Sequence, residues 1–571
     1  MENARIAEFF SRIADILDIQ GENPFRVRSY HNVARIIRDL SINLADLVQE
    51  GGDPTQFAGI GASSAEKILE IVETGRLKYL EELEGKIPKG LTELLKLEGL
   101  GPKKVKVLYE GLAVDSVARL EKAARSGKLR DLAGMGAKTE EKLLKSIEHY
   151  RRGVGRFKLS VGMSYAEELV KYLSKVRGVK TLEPAGSLRR RQETVGDLDI
   201  LAICTPGCKV MEAFTQYEEV EEVIAKGEKK SSVRLTSGMQ VDVRTLEEKS
   251  FGAALYYFTG SKAHNVAIRG RAQQRGLKVS EYGVFRVKDD KRVAGRSEEE
   301  VFSALGLPYI PPELRENRGE IEAADEGKLP ELLELSDIRG DLQMHTTASD
   351  GKDSIEAMAK KAKELGYKYV AITDHSKAVR VAGGMDEKEL AEHLKAIEKA
   401  NGKAAGIEVL KGVEVDILAD GSLDLADSII EECDIVLASI HSRFNMPEEE
   451  MTERIIKGIS NPNVNILGHP TGRLILERPA YQVNLKKVFE AAKELGVVME
   501  INAYPDRLDL NDVNARMAKE MGLKIAINTD AHATTQLELM RFGVYTARRA
   551  WLEKKDVINT YTPKKLLRTL R

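Results

Sequence analysis

Apolar residues recur at steps of three and four positions through the first part of the chain. Ile6, Phe9, Phe10, Ile13 and Ile16 open this pattern, which places apolar side chains on one face of an α-helix. The same periodicity continues to about residue 150. We therefore predict that residues 1–150 are helical.

The pattern changes to a mixture of helix and strand over residues 151–248. Leu198–Ile203 and Gln240–Arg244 are short runs of β-forming residues, and each predicts a strand. A smaller unit of helix and strand follows over residues 249–315. The prolines and the charged residues around residues 308–326 are typical of a connection between domains, so we predict a linker over 316–337.

Short apolar runs alternate with amphipathic helices over the last predicted domain, residues 338–571. Strands that alternate with helices predict a parallel sheet, either open or closed into a barrel. The chain as a whole is thus predicted to be multidomain, α+β at first and α/β at its end. The predicted strands of the last domain are Tyr369–Ile372, Ile407–Val415, Asp434–Ile440, Val464–Leu467, Val497–Ile501 and Lys524–Ile527.

The composition is ordinary for a folded protein in water: of 571 residues, 42% are hydrophobic and 31% are charged. No apolar run approaches the roughly 18 residues that span a bilayer, and Met1–Arg5 lacks the features of a signal peptide. Cys204 and Cys208 have a metal-like spacing, but no second pair completes a zinc site. We predict reduced thiols, a cytoplasmic location and no membrane partner. The net charge of −2 argues neither for nor against nucleic acid.

A Gly-apolar-Gly turn occurs three times in the helical region, each time between two short helices. Glycine permits the tight turn and leaves backbone N–H groups free at a helix N-terminus, where they can bind phosphate. One such turn is common, but three resemble the helix–hairpin–helix motifs of DNA-binding proteins. The first lies in residues 1–80 and the others in 81–150. The predicted DNA-binding residues are Gly59, Gly61, Gly99, Gly101, Lys103, Lys104, Gly134 and Gly136.

Three aspartates mark the two predicted strands of residues 151–248. Asp197 and Asp199 are two positions apart, so both side chains point to one face of a strand, and Asp242 lies on the second strand. Converging carboxylates could hold two magnesium or manganese ions, which activate an attacking hydroxyl and stabilise a departing pyrophosphate. Asp-x-Asp alone is more often a plain turn at a strand end.

Residues 186–190, Gly-Ser-Leu-Arg-Arg, argue against the plain turn. Gly186 and Ser187 would offer hydrogen-bond donors to a triphosphate, and Arg190 would add a charged clamp. Together with the third carboxylate, this turn favours a nucleotidyl-transfer site.

Gly186-Ser187-x-Arg189-Arg190 with Asp197-x-Asp199 resembles the palm signature of family-X DNA polymerases, and residues 257–269 resemble their thumb motif. The resemblance covers residues 1 to about 315 and implies gap filling in repair, with gapped or primed DNA and dNTPs as partners. It implies that Asp197 and Asp199 bind both metals and that Asp242 binds the catalytic one. The residues it assigns to the substrate are Gly186, Ser187, Arg190, Gly196, Tyr257, Phe258, Gly260, Asn265 and Arg269.

The same resemblance places the Schiff-base lysine of the family's lyase domain on Lys67, and Tyr30 also matches a lyase-site residue. A lysine acts as a nucleophile only if its pKa is lowered. Because Ser63 replaces a neighbouring lysine of that site, a simple phosphate contact by Lys67 remains the alternative.

Histidines and carboxylates follow the predicted strands of residues 338–571. The C-terminal ends of parallel barrel strands are where such folds gather catalytic residues. Imidazole mixed with carboxylate suits Zn, Mn or Fe, and several bridged ions suit phosphoester hydrolysis. We assign His393, in the middle of a helix, to a structural role. The predicted ligands are His345, Asp350, His375, Glu414, His441, His469, Asp530 and His532.

This region resembles the PHP (polymerase and histidinol phosphatase) domain, a distorted seven-stranded barrel with up to three metal ions. Eight of nine usual ligands match, and Gln343 stands where a first histidine is common. The resemblance implies 3′→5′ exonuclease, 3′-phosphatase or abasic-site endonuclease activity, usually dependent on Mn. Three alternatives remain: a purely structural PHP domain, a non-catalytic DNA-binding scaffold and a small-molecule phosphatase. Protein partners are not predicted.

Overall fold

The computed structural model describes residues 3–40, 44–49, 51–88, 90–95, 97, 99–132, 134–151, 155–402, 404 and 406–570. The chain divides into two compact units, Met1–Arg156 and Phe157–Arg571. Each unit contains its own hydrophobic clusters. Within the part of the chain just given, no helix is long and apolar enough to cross a membrane.

The first unit is helical, as its apolar periodicity predicts. One apolar cluster lies among the helices before Leu83, and a second lies among those after Leu91. Ile19 of the first helix belongs to the second cluster, so that helix connects the two. The helices are α1 Asn3–Gln20, α2 Pro24–Asp39, α3 Leu44–Gln49, α4 Ala62–Thr74, α5 Lys78–Glu84, α6 Leu91–Leu94, α7 Pro102–Leu112, α8 Val117–Arg125 and α9 Ala137–Arg151.

The second unit begins with a five-stranded sheet in the order β2-β4-β7-β6-β5, in which β4 and β7 are parallel neighbours. Buried apolar residues alternate with polar ones over Asp197–Ile200 of β4 and Gln240–Arg244 of β7, and Leu201–Ile203 of β4 are all buried and apolar. The elements are β1 Phe157–Lys158, α10 Leu159–Leu173, β2 Val179–Pro184, α11 Gly186–Arg189, β3 Thr194–Val195, β4 Asp197–Cys204, α12 Val210–Thr215, β5 Val220–Ala225, β6 Lys230–Leu235 and β7 Gln240–Leu246.

A smaller subdomain follows, with a three-stranded antiparallel sheet packed on helices. The segment proposed as a linker, 316–337, is folded against its neighbours rather than extended. It contains a helix that begins at Glu320, a residue with no exposed surface, and Glu320 pairs with His264 at 2.6 Å. The elements are α13 Phe251–Thr259, α14 Lys262–Gln274, β8 Leu277–Ser280, β9 Gly283–Arg286, β10 Arg292–Ala294, α15 Glu298–Ala304 and α16 Glu320–Asp325.

Seven parallel strands, in sequence order β11 to β17, form the last sheet. The strands are β11 Gly340–Asp341, β12 Tyr369–Ile372, β13 Glu408–Asp416, β14 Ile435–Ser439, β15 Ile466–Leu467, β16 Val498–Asn502 and β17 Ile525–Asn528. The helices are α17 Ile355–Glu364, α18 Glu387–Asn401, α19 Asp427–Ile430, α20 Glu448–Ile459, α21 Leu485–Leu495, α22 Asp512–Glu520, α23 Met540–Arg549 and α24 Pro563–Thr569.

The sheet closes into a barrel at its two ends. The Asp530 amide donates to the Gln343 carbonyl at 3.1 Å, and the His345 amide donates to the Ala531 carbonyl at 2.8 Å. These bonds join the segment after β11 to the segment after β17. The predicted seven-stranded barrel is therefore confirmed.

Successive side chains along the strands point alternately into the barrel interior and towards the surrounding helices. Tyr369 and Ala371 of β12 belong to one apolar cluster with residues of β13 to β17, whereas Val370 and Ile372 pack with the helices. Residues of the C-terminal segment, including Ile558, complete the interior cluster. One end of the barrel is thereby packed with apolar side chains, which leaves the other end for polar chemistry.

The barrel also contributes to the core of the five-stranded sheet. Ile475, Leu508 and Phe542 are buried in the same cluster as the apolar residues of α10, β4 and β7. Lys158 adds ion pairs with Glu477 at 2.6 Å and with Asp506 at 2.7 Å. The sheet and the barrel therefore form one continuous body within Phe157–Arg571.

Candidate active sites

Three aspartates meet at one end of the β4–β7 pair. Asp199 lies directly opposite Asp242 in the parallel register, and Asp197 lies opposite Gln240. Asp197, which follows Gly196 at the start of β4, is exposed. Burial, and then the negative charges of Asp197 and Asp242, raise the pKa of Asp199 to about 6. Such crowding of carboxylates is favourable only where cations neutralise it, so the three residues fit a site for divalent metal ions.

Lys230 of β6 faces the same carboxylates, with its Nζ 2.5 Å from Asp242 Oδ2. Burial alone would raise the pKa of Asp242, but hydrogen bonds from Lys230 and Ser232 hold that pKa below its ordinary value. Asp242 is therefore ionised and ready to act as a ligand.

The predicted nucleotide-binding turn lies beside the aspartates. Gly186 has φ of +65°, and a Cβ added there would come within 3.2 Å of Asp199 Oδ2, so a side chain would crowd the carboxylate. Gly260 has φ of +68°, and its Cβ would come within 3.3 Å of Arg190 Nη1. Both positions require glycine. Ser187, next to Gly186, is partly exposed.

Arg190 is held at two of its three nitrogens. Its Nε donates to Glu316 at 2.9 Å and its Nη1 donates to the Thr259 carbonyl at 2.5 Å. The same Glu316 oxygen accepts from Gln192 and from Arg549, and Arg549 also donates to the Arg190 carbonyl at 2.8 Å. These bonds position the guanidinium but leave Nη2 without a protein partner among the described residues, which suits contact with a phosphate.

Arg189 has a different position from its neighbour. It forms two hydrogen bonds with Glu298, at 2.9 and 2.6 Å, and a third with Thr259 Oγ1 at 2.7 Å. Glu298 also pairs with the fully buried Arg315 at 2.5 Å. Arg189 thus ties the five-stranded sheet to the smaller subdomain, a role that we did not infer from the sequence.

The predicted pocket residues of the smaller subdomain lie on α13 and α14. The Asn265 amide donates to the Tyr257 carbonyl at 2.8 Å, while its buried Oδ1 has no partner. Phe258 packs under Arg244, whose Cζ is 4.5 Å from the ring centroid. Arg269 is exposed, as a contact with a template strand requires.

The three Gly-apolar-Gly turns have the geometry expected from the sequence. Gly59, Gly99 and Gly134 have φ of +95°, +83° and +78°. The apolar residues between the glycines are 1–5% exposed, so they anchor each turn in the core. Gly61 and Gly101 cap α4 and α7 without a side-chain hydrogen bond. An added Cβ at either would meet nothing within 4 Å, so a phosphate can approach these helix N-termini closely.

The two lysines after the second turn differ in their contacts. Lys104 Nζ donates to the Gly99 carbonyl at 2.9 Å, which stabilises the turn. Lys103 is exposed and has no ion pair within the described part of the chain. Only Lys103 therefore has a side chain free for phosphate.

Lys67, on the helix that follows the first turn, lies in a cluster of polar and aromatic residues. Its Nζ donates to the Ser63 carbonyl and hydroxyl at 3.0 and 2.9 Å and lies 5.4 Å from the Tyr79 ring centroid. Tyr30 stacks on Tyr79, and Arg26 donates to the Tyr79 hydroxyl at 2.8 Å. Burial, with a smaller effect of Arg26, lowers the pKa of Lys67.

In the barrel, predicted ligands gather where the strands end. Two groups have ligand atoms that all lie within 4.8 Å of one another. His345 stacks between His375 and His532, with ring centroids 4.4 and 4.3 Å away. His375 belongs to both groups and therefore bridges them. The groups are His345, Asp350, His375 and His532, and His375, Glu414 and His441.

Asp530 and His469, the remaining predicted ligands, adjoin these groups. His345 Nε2 is 3.0 Å from Asp530 Oδ1, and His469 Nε2 is 3.1 Å from Glu414 Oε1. His469 and Asp530 have φ of +27° and +53°. Left-handed backbone at residues other than glycine is unfavourable and clusters at functional sites. All eight predicted ligands thus lie in one cluster.

Several buried polar atoms of this cluster have no hydrogen-bond partner. Leaving a buried donor or acceptor unpaired costs about 1–3 kcal/mol, so a protein retains such atoms where a ligand will satisfy them. The imidazole and carboxylate donors fit metal ions such as Zn, Mn or Fe. Within the described part of the chain, the atoms without a polar partner at hydrogen-bonding distance are Gln343 Oε1, His345 Nδ1 and His469 Nδ1.

The ionisation of the cluster also fits metal ions. Burial opposes the charge on His375 and His532, yet nearby carboxylates raise the pKa of His375 to about 8 and that of His532 to about 9. Despite its burial, the histidines hold the pKa of Glu414 well below its ordinary value. Metal ions that bind these imidazoles therefore displace protons.

Gln343 lies on the same face as His345, two residues away. Its Nε2 donates to Glu414 Oε1 at 3.1 Å, and its fully buried Oε1 is unpaired. The amide can therefore offer one neutral oxygen to the cluster. An amide oxygen is a weaker donor than imidazole to a transition metal.

Two carboxylates that support the ligands were not predicted. Asp416 Oδ1 lies 3.0 Å from His441 Nδ1, and Glu500 accepts from the His469 amide at 2.7 Å. Such partners orient metal ligands. Asp416 was detectable in the sequence because it follows Glu414 by two positions on one strand and so shares its face.

His393, which we assigned to a structural role, is buried on α18 and lies 2.9 Å from Asp374 Oδ2. It belongs to neither group of candidate ligands.

Family models match four segments of the chain. They are a helix-hairpin-helix domain at residues 1–77, a SAM-like helix-hairpin-helix tandem at 91–148, a DNA polymerase beta thumb at 254–316 and a PHP domain at 341–504. Together with the aspartates of the five-stranded sheet, they define a polymerase with a palm, a thumb and DNA-binding hairpins, joined to a PHP barrel.

The relatives agree with this class. DNA polymerase/3'-5' exonuclease PolX of Bacillus subtilis is 39% identical over 561 residues, which is 98% of this chain and 97% of that protein. A probable phosphatase of Thermoanaerobacter is 33% identical over 38% of this chain and 89% of its own length. Another, of Caldanaerobacter subterraneus, is 36% identical over 34% and 75%. The chain belongs to the family-X DNA polymerases that carry a C-terminal PHP domain.

Proposed function

We propose that this protein fills short gaps during DNA repair by nucleotidyl transfer, and that its PHP domain hydrolyses phosphoesters at DNA 3′ ends. The observation that carries the first activity is the pairing of Asp199 with Asp242 on neighbouring parallel strands, with Asp197 on the same face. The second rests on the cluster of eight candidate ligands in the barrel. Reduced, unpaired cysteines are compatible with work in the cytoplasm.

In the palm, Asp197 and Asp199 would hold two magnesium or manganese ions, and Asp242 would hold the one nearer the primer. When bound, these ions supply the Lewis acidity that activates the 3′-hydroxyl and neutralises pyrophosphate. Asp242 remains ionised because of Lys230. Backbone and hydroxyl donors at Gly186 and Ser187 would bind the phosphates of a dNTP.

Other predicted residues would orient the reactants. Gly196 would contact the nucleotide, and Tyr257, Phe258 and Gly260 would line the deoxyribose pocket. Arg190 Nη2 would contact the triphosphate, Asn265 the base and Arg269 the template strand.

A one-nucleotide gap tests the polymerase directly. The 5′-labelled primer of a gapped duplex is incubated with magnesium and each dNTP in turn. We expect addition of one nucleotide only with the dNTP complementary to the template. Addition without regard to the template, or none at all, would contradict the proposal.

The second hairpin predicts a salt-dependent DNA contact. DNA affinity should fall steeply with salt, and the log–log slope should flatten by about one unit in Lys103→Ala, because one phosphate contact is lost. Lys104→Ala tests the turn instead, since Lys104 binds the Gly99 carbonyl. Lys122→Ala, on α8, is the control. Fluorescence anisotropy over a salt series measures the slopes, and an unchanged slope for Lys103→Ala would exclude this contact.

Lys67 is proposed as a lyase nucleophile on the strength of its burial and lowered pKa. Borohydride should trap a covalent adduct between the wild type and a 5′-deoxyribose phosphate. Lys67→Ala should yield none, while Lys78→Ala should behave as the wild type. If the wild type forms no adduct, Lys67 is a phosphate contact.

The barrel ligands would hold up to three ions of Zn, Mn or Fe. The hydrolysis would be that of a 3′→5′ exonuclease, a 3′-phosphatase or an abasic-site endonuclease. A purely structural role is favoured by the barrel residues in the palm core. It would not, however, account for the unpaired buried atoms of the ligand cluster.

Gln343 predicts that one metal position exchanges readily. Gln343→His should increase metal retention during dialysis against EDTA by about 10–100-fold, the usual scale of changes around a metal site. Gln343→Ala should decrease it, because the amide oxygen is removed. Elemental analysis after dialysis measures the ions. If the wild type retains three ions as firmly as Gln343→His, the amide is not a weak point.

A further inference from the structure

Residues 376–386, in the connection between β12 and α18, form a loop with an exposed apolar residue at its tip. Val381 there has a relative exposure of 104%, more than any other large hydrophobic side chain in the described part of the chain. Burying a valine side chain stabilises a folded protein, and that contribution is not realised here. The packing of the barrel therefore does not explain an apolar residue at this position.

The tip loop, as we call residues 376–386, is held firmly at its base. Ser376 Oγ and the Ala378 amide both donate to Asp424, each at 2.8 Å. The Met385 amide donates to the His375 carbonyl at 2.9 Å. Because both ends of the loop are fixed, Val381 is presented on a defined support rather than on a free segment.

The base of the tip loop adjoins the candidate metal centre. The loop begins immediately after the ligand His375. On its other side, a Cβ added at Gly383 would lie 3.5 Å from the Ser349 carbonyl oxygen, next to the ligand Asp350. The side chains of Asp350 and His532 are 35% and 27% exposed, whereas His345 is fully buried. Substrate must therefore reach the ligands on the side of these exposed residues.

Two cations accompany the apolar tip. Arg380 precedes Val381, and Lys352 follows Asp350 by two positions; both side chains are exposed. Neither side chain has an ion pair or hydrogen bond to the described residues. Unpaired cations beside a phosphoesterase centre are suited to bind the phosphates that flank the reacting bond.

We propose that the tip loop separates the terminal base pair of double-stranded DNA. Val381 packs against the last base pair, while Arg380 and Lys352 hold the backbone, so that the unpaired 3′ nucleotide reaches the metal centre. Apolar side chains inserted at base steps unstack DNA in this way, and their contacts offset the free energy needed to open the pair. The inference rests on the proposed 3′-end hydrolysis and adds that base-paired 3′ ends are opened and used as substrates.

Fluorescence tests the separation without catalysis. A duplex with 2-aminopurine at its 3′ terminus is bound to the full-length protein in EDTA. We expect a fluorescence increase with the wild type and with Val381→Ile, and an increase about 3-fold smaller with Val381→Ser, because the side chain that unstacks the base is lost. Leu495→Ala, which alters a 46% exposed leucine at the end of α21, is the control. No increase with the wild type, or equal increases with Val381→Ser, would overturn the proposal.

Hydrolysis of paired and unpaired 3′ ends provides the second measurement. Val381→Ser should slow removal of a paired terminal nucleotide by about 10-fold, since it affects only the opening step, and should leave removal of an unpaired one within about 2-fold. Equal losses on both ends would overturn the proposal. If the wild type hydrolyses neither end, the proposed 3′-end activity fails, and the fluorescence result still decides the role of Val381.

Discussion

Replacement of Asp242 by alanine or asparagine should abolish nucleotide addition and leave gapped-DNA binding nearly unchanged. Asp242 lies opposite Asp199 in the β4–β7 register, so its replacement removes one carboxylate from the candidate metal site. Ligands of catalytic ions stabilise the transition state by several kcal/mol. Removing one should therefore lower the rate of nucleotide addition by about 1000-fold or more. DNA affinity should persist because the hairpins of Met1–Arg156 provide the phosphate contacts.

Single-turnover extension of a gapped primer measures the rate, and anisotropy measures the binding. Asp290→Asn is a matched control, because Asp290 is exposed and pairs only with Lys278. Extension by Asp242→Asn at the wild-type rate would rule out the palm assignment. A parallel loss of DNA binding would mean instead that the substitution damages the fold.

His441→Ala should remove 3′-end hydrolysis and spare polymerisation. His441 reaches Glu414 with Nε2 at 3.6 Å, while Asp416 is bound to its Nδ1. The lost imidazole weakens a metal position, and we expect a decrease of about 100-fold or more in hydrolysis. Polymerisation should be unaffected because the proposed catalytic residues, Asp242 and its neighbours, lie in a separate sheet.

Asp416→Asn provides a graded comparison for that prediction. It keeps His441 but removes the charge that orients the ring, so hydrolysis should decrease by about 10-fold, less than in His441→Ala. The release of labelled nucleotide from a 3′ end in Mn measures both variants. Equal activity of His441→Ala and the wild type would contradict the metal assignment.

Most of the candidate barrel ligands were predictable because they lie at or just after strands that the sequence shows clearly. Tyr369–Ile372 was predicted with its observed bounds, and the other apolar runs contain their strands or overlap them. By contrast, β11 has only two residues, Gly340 and Asp341, and no apolar run marks it. Gly340 and Asp341 form a strand by pairing with Tyr369 and Val370 of β12, and the segment after β11 pairs with the segment after β17. Both are contacts between parts of the chain that are distant in sequence.

In the palm site, too, some features follow from neighbouring residues in the sequence and others from contacts between distant parts of the chain. The Asp197-x-Asp199 spacing fixed a shared face, but only the parallel β4–β7 register places Asp199 opposite Asp242. The ion pairs of Lys230 with Asp242 and of Arg190 with Glu316 join residues that no spacing rule connects.

The segment 316–337 illustrates how composition can mislead. Its polar residues are typical of linkers, yet Glu316 forms a partly buried ion pair with Arg190, and the buried Glu320 forms a hydrogen bond with His264. Charged residues of this kind are exposed in an extended chain but become structural once a partner neutralises them. A sequence pattern does not reveal that partner.

We infer that this chain has two independent active sites, a polymerase in the palm and a hydrolase in the barrel. One labelled gapped duplex tests both sites. It is incubated either with dNTPs and magnesium or with Mn alone. Each incubation is made with the wild type, Asp242→Asn, His441→Ala and the double variant. We predict that Asp242→Asn loses only extension, His441→Ala loses only 3′-end hydrolysis and the double variant loses both. Loss of both activities in either single variant, with the fold intact, or hydrolysis that persists in the double variant would contradict the claim.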